Sequence, residues 1–327
     1  MNQRVKLDDV AEKAGVSKTT VSRVLNHRGY LSDQTIKKVH QAMEELHYRP
    51  NVVARHLYHQ KTNQVGLVFP TVNDPFFAHL ESRLAYELYE RGYATLMGNS
   101  QNNPDKERRF LHYLLDGQID GLIVGAHNQG LSEYQETNLP IVSIERWVAP
   151  KIPIVASDNY AGGLMATQRL LDDGCQNIIH TNYPRLESST NQRRQQAYED
   201  LMIQHHRQPI TYEVNFDSPV EDKVAIFKKI FAEHPEVDGI VADNDTNASL
   251  IIHLAQELGY QVPGQLKVVG FDGADTTQIL MPELTTIKQP INDLASTAVD
   301  LLIKRINGEE NVASVILPVT LHEGTTA

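Results

Sequence analysis

The 327-residue chain reads as an α/β protein in which a small all-α helix-turn-helix headpiece precedes two doubly wound α/β lobes. Three observations predict this. The first sixty residues hold three short amphipathic helices, two of them arranged around a glycine turn. From residue 64 onward short apolar runs alternate with amphipathic helices, and the rhythm starts afresh near residue 177. Charge divides at the same place: residues 1–60 carry ten Lys/Arg against six Asp/Glu, and the rest carries twenty against thirty-five, within a whole-chain charge of −11.

In the first helix Leu7, Val10, Ala11 and Ala14 fall at i, i+3, i+4 and i+7, and Gly15 ends it with a residue free to take positive φ. Ser17 caps a second helix whose Val21, Val24 and Leu25 turn inward. That leaves Lys18, Thr19, Ser22 and Arg23 outside, near the N-terminus, as donor-rich side chains suited to base edges in a major groove. Ser32 starts a third helix on which Ile36, Val39, Ala42, Met43 and Leu46 repeat at helical spacing. Pro50 stops it. Asn51 then caps the short apolar stretch 52–57, and a polar linker over 59–64 follows. Alone, the two-helix unit would also fit an ordinary helical hairpin with a solvated face; the third helix and the basic balance favour DNA.

The apolar runs at 64–70, 94–97, 121–124, 140–144 and 154–156 are continuous, as expected of strands buried on both faces of a parallel sheet. Helices are predicted at 76–91 and 105–116. The second series has strands at 177–180, 211–214, 239–242 and 266–271, with helices at 189–205, 220–234 and 248–258.

In open α/β sheets ligands gather at the carboxyl ends of the strands. Those ends carry Asp74 with Phe76 and Phe77, then Glu145-Arg146-Trp147, Asp243-Asn244-Asp245, and Asp272. Carboxylates, an amide, guanidinium groups and aromatic faces suit a polyhydroxylated ligand, whose hydroxyls need paired donors and acceptors and whose C–H face needs a ring. Taken singly, Asp74 and Asp245 fit helix N-terminal caps equally well. Enzyme readings find no support: there is no G-x-G-x-x-G turn, P-loop lysine or G-x-S-x-G elbow. No cofactor is expected. His56 with His59 and His205 with His206 lack metal-site spacing, so no metal is expected either. The lone Cys175 reads as a small core residue and excludes an intrachain disulfide. No run approaches the ~18 apolar residues of a membrane span, and nothing resembling a signal peptide precedes the headpiece, so a cytoplasmic protein is expected.

The segments Asp9-Val10-Ala11, Ala14-Gly15-Val16-Ser17, Thr20-Val21-Ser22-Arg23-Val24-Leu25-Asn26, then Leu46, Tyr48, Pro50, Asn51, Ala54 and Leu57, resemble the headpiece and hinge helix of the LacI (lactose-repressor) family of bacterial transcription regulators. The resemblance implies that Lys18, Thr19 and Arg23 read operator bases and that Thr20, Ser22, Tyr48 and Asn51 hold phosphates. It also implies that the hinge segment bearing Ala54 wedges Leu57 into the minor groove. It further implies lobes of the periplasmic-binding-protein type, with crossovers near 160, 289 and 320. The domains are then a headpiece over 1–58, a linker over 59–64 and a core over 65–327. Lobe one would span about 65–160 and 290–319, lobe two about 161–289 and 320–327.

By the same resemblance Asp74, Phe76, Glu145, Arg194, Asn244, Asp272 and Gln289 line an effector cleft. Arg194 is placed by an Arg-x-x-Gly-aromatic segment in which Ala197 replaces the usual Gly, and Glu145 stands where Asp is more frequent. From its place after a strand end, Trp147 is expected at the rim of the cleft or, equally, packed under the following loop. Residues 32–50 and the terminal segment 317–326 are most similar to repressors of sucrose operons. A repressor released by a small sugar or sugar phosphate is therefore expected, its partners being double-stranded operator DNA, the effector and a second copy of the chain. Two alternatives stay open: a catabolite-control regulator that takes a phosphorylated carrier protein as corepressor, and a regulator that answers to a purine or other small molecule. No leucine heptads follow the core, so a homodimer is expected rather than a tetramer.

Overall fold

The computed structural model describes residues 5–26, 28–49, 61–101, 103–125, 128, 130–135, 138–184 and 189–327. The chain divides into two compact units, Met1–Lys61 and Thr62–Ala327.

The first unit holds α1 (Leu7–Ala14), α2 (Lys18–Leu25) and α3 (Asp33–Glu45). Gly15 adopts φ 66° and closes α1. The Ser17 and Ser32 hydroxyls accept the amides of Thr20 and Thr35, as the sequence predicts for N-caps. Val10, Ala11, Val21, Val24, Val39 and Ala42 form the buried centre, with Leu7, Leu25, Ile36, Leu46 and Tyr48 packed around it.

The second unit is built on two six-stranded sheets. Sheet one runs β11-β5-β4-β3-β1-β2, using β1 (Gln64–Phe69), β2 (Ala94–Asn99), β3 (Gly121–Val124), β4 (Ile141–Ile144), β5 (Ile154–Ser157) and β11 (Val315–Leu317). Sheet two runs β12-β10-β9-β8-β6-β7, using β6 (Ile178–Asn182), β7 (Thr211–Glu213), β8 (Gly239–Val241), β9 (Lys267–Asp272), β10 (Thr285–Lys288) and β12 (Thr320–His322). Strand pairing is parallel except for β10 with β12. Sheet one carries α4 (Pro75–Glu90), α5 (Pro104–Leu115) and α11 (Ile291–Ile306); sheet two carries α6 (Asn159–Asp172), α7 (Gln192–Gln204), α8 (Val220–Glu233) and α9 (Asp245–Glu257), while the short α10 (Asp275–Leu280) after β9 packs against α4. The chain passes between sheets after β5, after β10 and between β11 and β12. Strand order reverses between β1 and β3 and between β6 and β8, the switch points where such sheets bind ligands.

Three expectations need adjusting. β2 is not buried on both faces: it is the last strand of its sheet, and Ala94, Leu96, Met97 and Asn99 are exposed. The helix expected from Ser189 begins at Gln192, because Ser189 is drawn into an isolated bridge with Arg146. The helix expected from Ala248 begins at Asp245, since the Asn244 side chain accepts the Asn247 amide and starts it a turn earlier. Cys175 is a buried core residue whose thiol donates to the Asp238 carbonyl and is pushed up to about 11 by burial.

Candidate nucleic-acid interface and ligand cleft

On the headpiece, Lys18, Thr19 and Arg23 are exposed along α2, with Thr20 and Ser22 half-buried beside them. The Lys18 ammonium lies 3.0 Å from Asp8, an exposed pair weak enough to yield to a phosphate. Arg23 Nε donates to the Arg28 carbonyl at 3.4 Å, which holds its guanidinium against the loop after α2. The Thr20 hydroxyl is bonded to the Ser17 cap and Ser22 accepts from Asn26, so both are pinned rather than free to search. Tyr48 packs against the headpiece core, which fixes the chain after α3. Asn51, Ala54 and Leu57 lie outside the described residues. Tyr30 is 96% exposed between α2 and α3.

In the second unit the strand ends of both sheets converge on one small cavity. Its volume is about 40 Å³, and its lining includes Asp74, Phe76, Glu145, Arg194, Asp272 and Gln289. Phe77, Tyr183, Ser189, Thr190, Asn191 and Phe216 complete the wall. Pro75 at the first turn and Asp74 as cap fix the start of α4; the Asp74 carboxylate accepts the amides of Phe76 and Phe77 at 3.0 and 3.2 Å. Asp74 is thus a helix cap and a cavity wall at once. Phe77 meets Phe216 edge-on at 5.7 Å, and Phe216 meets Tyr183 at 5.8 Å, so an aromatic chain joins the two lobes across the cleft.

Arg194 is the cation of the cavity. Its Nε donates to Asn159 at 2.6 Å and its Nη1 to the Asp243 carbonyl at 2.9 Å. The guanidinium lies flat on Phe271, 3.4 Å from the ring centroid. Gln289, at the crossover after β10, donates to Asp272 at 2.7 Å and accepts from Ser157 at 2.7 Å, tying the lobes together. Glu145 accepts Asn159 Nδ2 at 2.7 Å and the Thr190 hydroxyl, which also bonds the Glu145 carbonyl at 3.0 Å. Glu145 and Asp272 both have positive φ, 55° and 116°. Two non-glycine carboxylates held in the left-handed region at one cavity are the kind of local strain that gathers at binding sites.

Burial dominates the electrostatics. It raises Asp74 and Asp243 and lifts Asp272 well above the usual carboxylate range, with Arg194 the main opposing influence on Asp272. Asp245, which accepts the Gly273 amide at 2.8 Å and the Thr286 hydroxyl, is raised by burial to about 7. With carboxyl oxygens as acceptors and Arg194 and the Tyr183 hydroxyl as donors, the cavity offers both halves of the hydrogen bonding that a polyol requires.

Two residues fall elsewhere. Asn244 is a buried N-cap whose Nδ2 donates to the Tyr183 hydroxyl at 2.7 Å, so it stands behind the wall and positions Tyr183. Trp147 is 50% exposed and lines a separate groove of about 800 Å³ that shares Ser189 and Thr190 with the cavity. Tyr183, at the end of β6, follows the same strand-end rule that found Asp74 and Asp272. Phe216, Thr190 and Asn191 lie in loops and carry no comparable signal.

Residues 6–51 match the family described as bacterial regulatory proteins, lacI family, and residues 167–327 match the periplasmic binding protein-like domain. The chain is 43% identical over 325 residues to a sucrose operon repressor of Pediococcus pentosaceus, covering 98% of this chain and 99% of that one. It is 42% identical to one from Lactococcus lactis subsp. lactis, covering 98% and 99%. A crystal structure of the lac repressor dimer bound to operator and the anti-inducer ONPF superimposes with a TM-score of 0.86 at 26% identity, covering 99% of each chain. With a matched headpiece, a matched core and relatives of this identity over almost its whole length, the chain belongs to the LacI family of bacterial regulatory proteins.

Proposed function

We propose that this chain is a homodimeric, DNA-binding transcriptional repressor of a sugar-utilisation operon, that of sucrose, released from its operator by a small sugar or sugar phosphate bound between its lobes. The observation that carries the reading is the near full-length identity to sucrose operon repressors, joined to a cleft whose carboxyl, amide and guanidinium groups match a polyol. Lys18, Thr19 and Arg23 read bases, and Thr20, Ser22, Tyr48 and Asn51 hold the backbone. In each half-site α2 enters the major groove. Leu57 wedges the operator centre from the minor groove. Asp74, Phe76, Glu145, Arg194, Asp272 and Gln289 receive the sugar, and Asn244 acts through Tyr183. The protein works in the cytoplasm, where operator DNA is, and catalyses no reaction.

Coupling follows from size. A cavity of about 40 Å³ holds one or two waters, whereas ligand pockets run from about 300 Å³ upward. A sugar therefore binds a more open arrangement of the lobes than this one, and so shifts the core between two states. The segment 51–57 is too short to be stable as an isolated helix, which makes it the natural element to respond. A preference of ~1–3 kcal/mol per site between the two states suffices for regulation.

The test is a titration of the full-length protein against a near-palindromic duplex and a scrambled control, at fixed salt, with and without sucrose. Preference for the palindrome, reduced by sucrose, is expected. Equal affinity for both duplexes refutes the repressor reading, and tighter binding with sucrose makes the sugar a corepressor.

A further inference from the structure

We propose that the groove beside Trp147 is the outer half of the sugar site and takes the second ring of a disaccharide, with the Glu145–Thr190 contact as the partition between the two halves. The inference rests on the reading that a sugar ring occupies the inner cavity. Ser189 and Thr190 face both spaces. Glu145 lines the inner one and Asn159 the outer one, and the two are bonded to each other. The spaces are separated by hydrogen bonds from Thr190, Asn159 and the Ser157 amide to the Glu145 carboxylate and carbonyl, beside the backbone bridge between Arg146 and Ser189. Sugar hydroxyls can take the place of the Thr190 and Asn159 side-chain bonds, so the two spaces can join there while the backbone bridge stays in place.

The outer groove has the chemistry of a ring site. Trp147 offers a half-exposed indole face, and the opposite wall is α7, which presents Arg193, Gln196 and Asp200 to solvent. Tyr160 donates to Asp200 at 2.8 Å, and Arg193 donates to Gln196 at 3.1 Å. These exposed donors and acceptors line the same groove as the aromatic ring, and its space is large enough for a sugar ring.

The indole is also held from below. Arg146, the residue before it, is buried and pairs with the fully buried Glu107 at 2.9 Å; Glu107 further accepts the Tyr134 hydroxyl and Asn128 at 2.6 Å. The Arg146 backbone bridges Ser189 in the other lobe. A surface tryptophan on a loop anchored by a buried ion pair is a preorganised platform rather than a stray ring.

Calorimetric titration of the full-length protein with sucrose, glucose and fructose tests the proposal. Wild type is expected to bind sucrose at least tenfold more tightly than either monosaccharide. Trp147→Ala, Arg193→Ala and Asp200→Asn all alter exposed side chains and leave the folded core intact. Each is expected to weaken sucrose tenfold or more while leaving monosaccharide affinity within twofold, and Trp147→Phe should recover most of the loss. Asp272→Asn, in the inner cavity, should weaken every sugar. The proposal is overturned if wild type does not prefer sucrose, or if the outer substitutions weaken all three sugars alike or none of them. Sugar binding that survives Asp272→Asn unchanged defeats the inner-cavity reading instead.

Discussion

The headpiece face and the interlobe cleft differ in how their residues are brought together. On the headpiece Lys18, Thr19, Ser22 and Arg23 sit on one short helix, and a single helical repeat orients them all. In the cleft Asp74 and Gln289, far apart in the sequence, face the same 40 Å³ space. Their meeting depends on two sheets, their switch points and the crossovers between them. A local site is fixed by periodicity and caps. A non-local site is fixed by topology, and so it can change shape when the lobes move. That difference fits the proposed division of labour, reading in the first and sensing in the second.

The sharpest way to break this division is at Arg194. Arg194→Ala leaves the Asp243 carbonyl and Asn159 Oδ1 without their donor, and strips the cation from a cavity walled by carboxyls. Losing a charged hydrogen-bond donor to the sugar costs ~1.5–3 kcal/mol, which corresponds to a loss of roughly 10- to 100-fold in sugar affinity. Operator binding without sugar should stay within a few-fold of wild type, as measured by fluorescence anisotropy of a labelled duplex. A variant that loses both activities equally would show that cleft and headpiece are not separable.

Arg23→Ala is the converse. It should cost ~1–3 kcal/mol against the cognate operator and relax discrimination between duplexes. Calorimetric sugar affinity should be unchanged, because the residue belongs to the other compact unit. Uniform weakening on all duplexes, with a shallower salt dependence, would make Arg23 a phosphate contact instead.

The same contrast explains what was legible in the sequence. The caps Ser17 and Ser32, the closing Gly15 and the buried Val10, Val21, Val24 and Val39 follow from spacing alone. Most strands of the second unit were visible as apolar runs, but β2 was misjudged because composition does not tell an edge strand from a central one. Asp74, Glu145 and Asp272 could be found because they end strands. Asn244 shares that position but turns its side chain to the helix it caps, a choice made by local hydrogen bonds rather than by strand position. Trp147 points into the neighbouring groove for a related reason: its loop is directed by the buried pair beneath Arg146, whose partner Glu107 lies on α5, far away in sequence. Phe216 and Thr190 belong to loops, where neither period nor cap predicts direction.

The smallest expected effect concerns acids buried outside either site. The buried residues of the headpiece are apolar, whereas the second unit buries Glu81 on α4 with neither carboxyl oxygen hydrogen-bonded. Burial lifts Glu81 to about 7. An unfolded glutamate ionises near the ordinary value of 4.5, so between that pH and about 7 the folded chain keeps a proton that the unfolded chain has lost. Stability conferred by the second unit therefore falls as pH rises through this window, and the deficit is complete above it. Glu81→Gln keeps the shape and removes the charge. Allowing for partial solvation, it should stabilise the core by ~1–2 kcal/mol at pH 8 and by almost nothing at pH 4.5. In scanning calorimetry the variant's core transition should lie a few degrees above that of wild type at pH 8, by about 2–4 °C per kcal/mol, and coincide with it at low pH. A shift of the same size at both pH values would mean that repacking rather than ionisation is responsible. A shift that appears in the headpiece transition would contradict the separation of the two units.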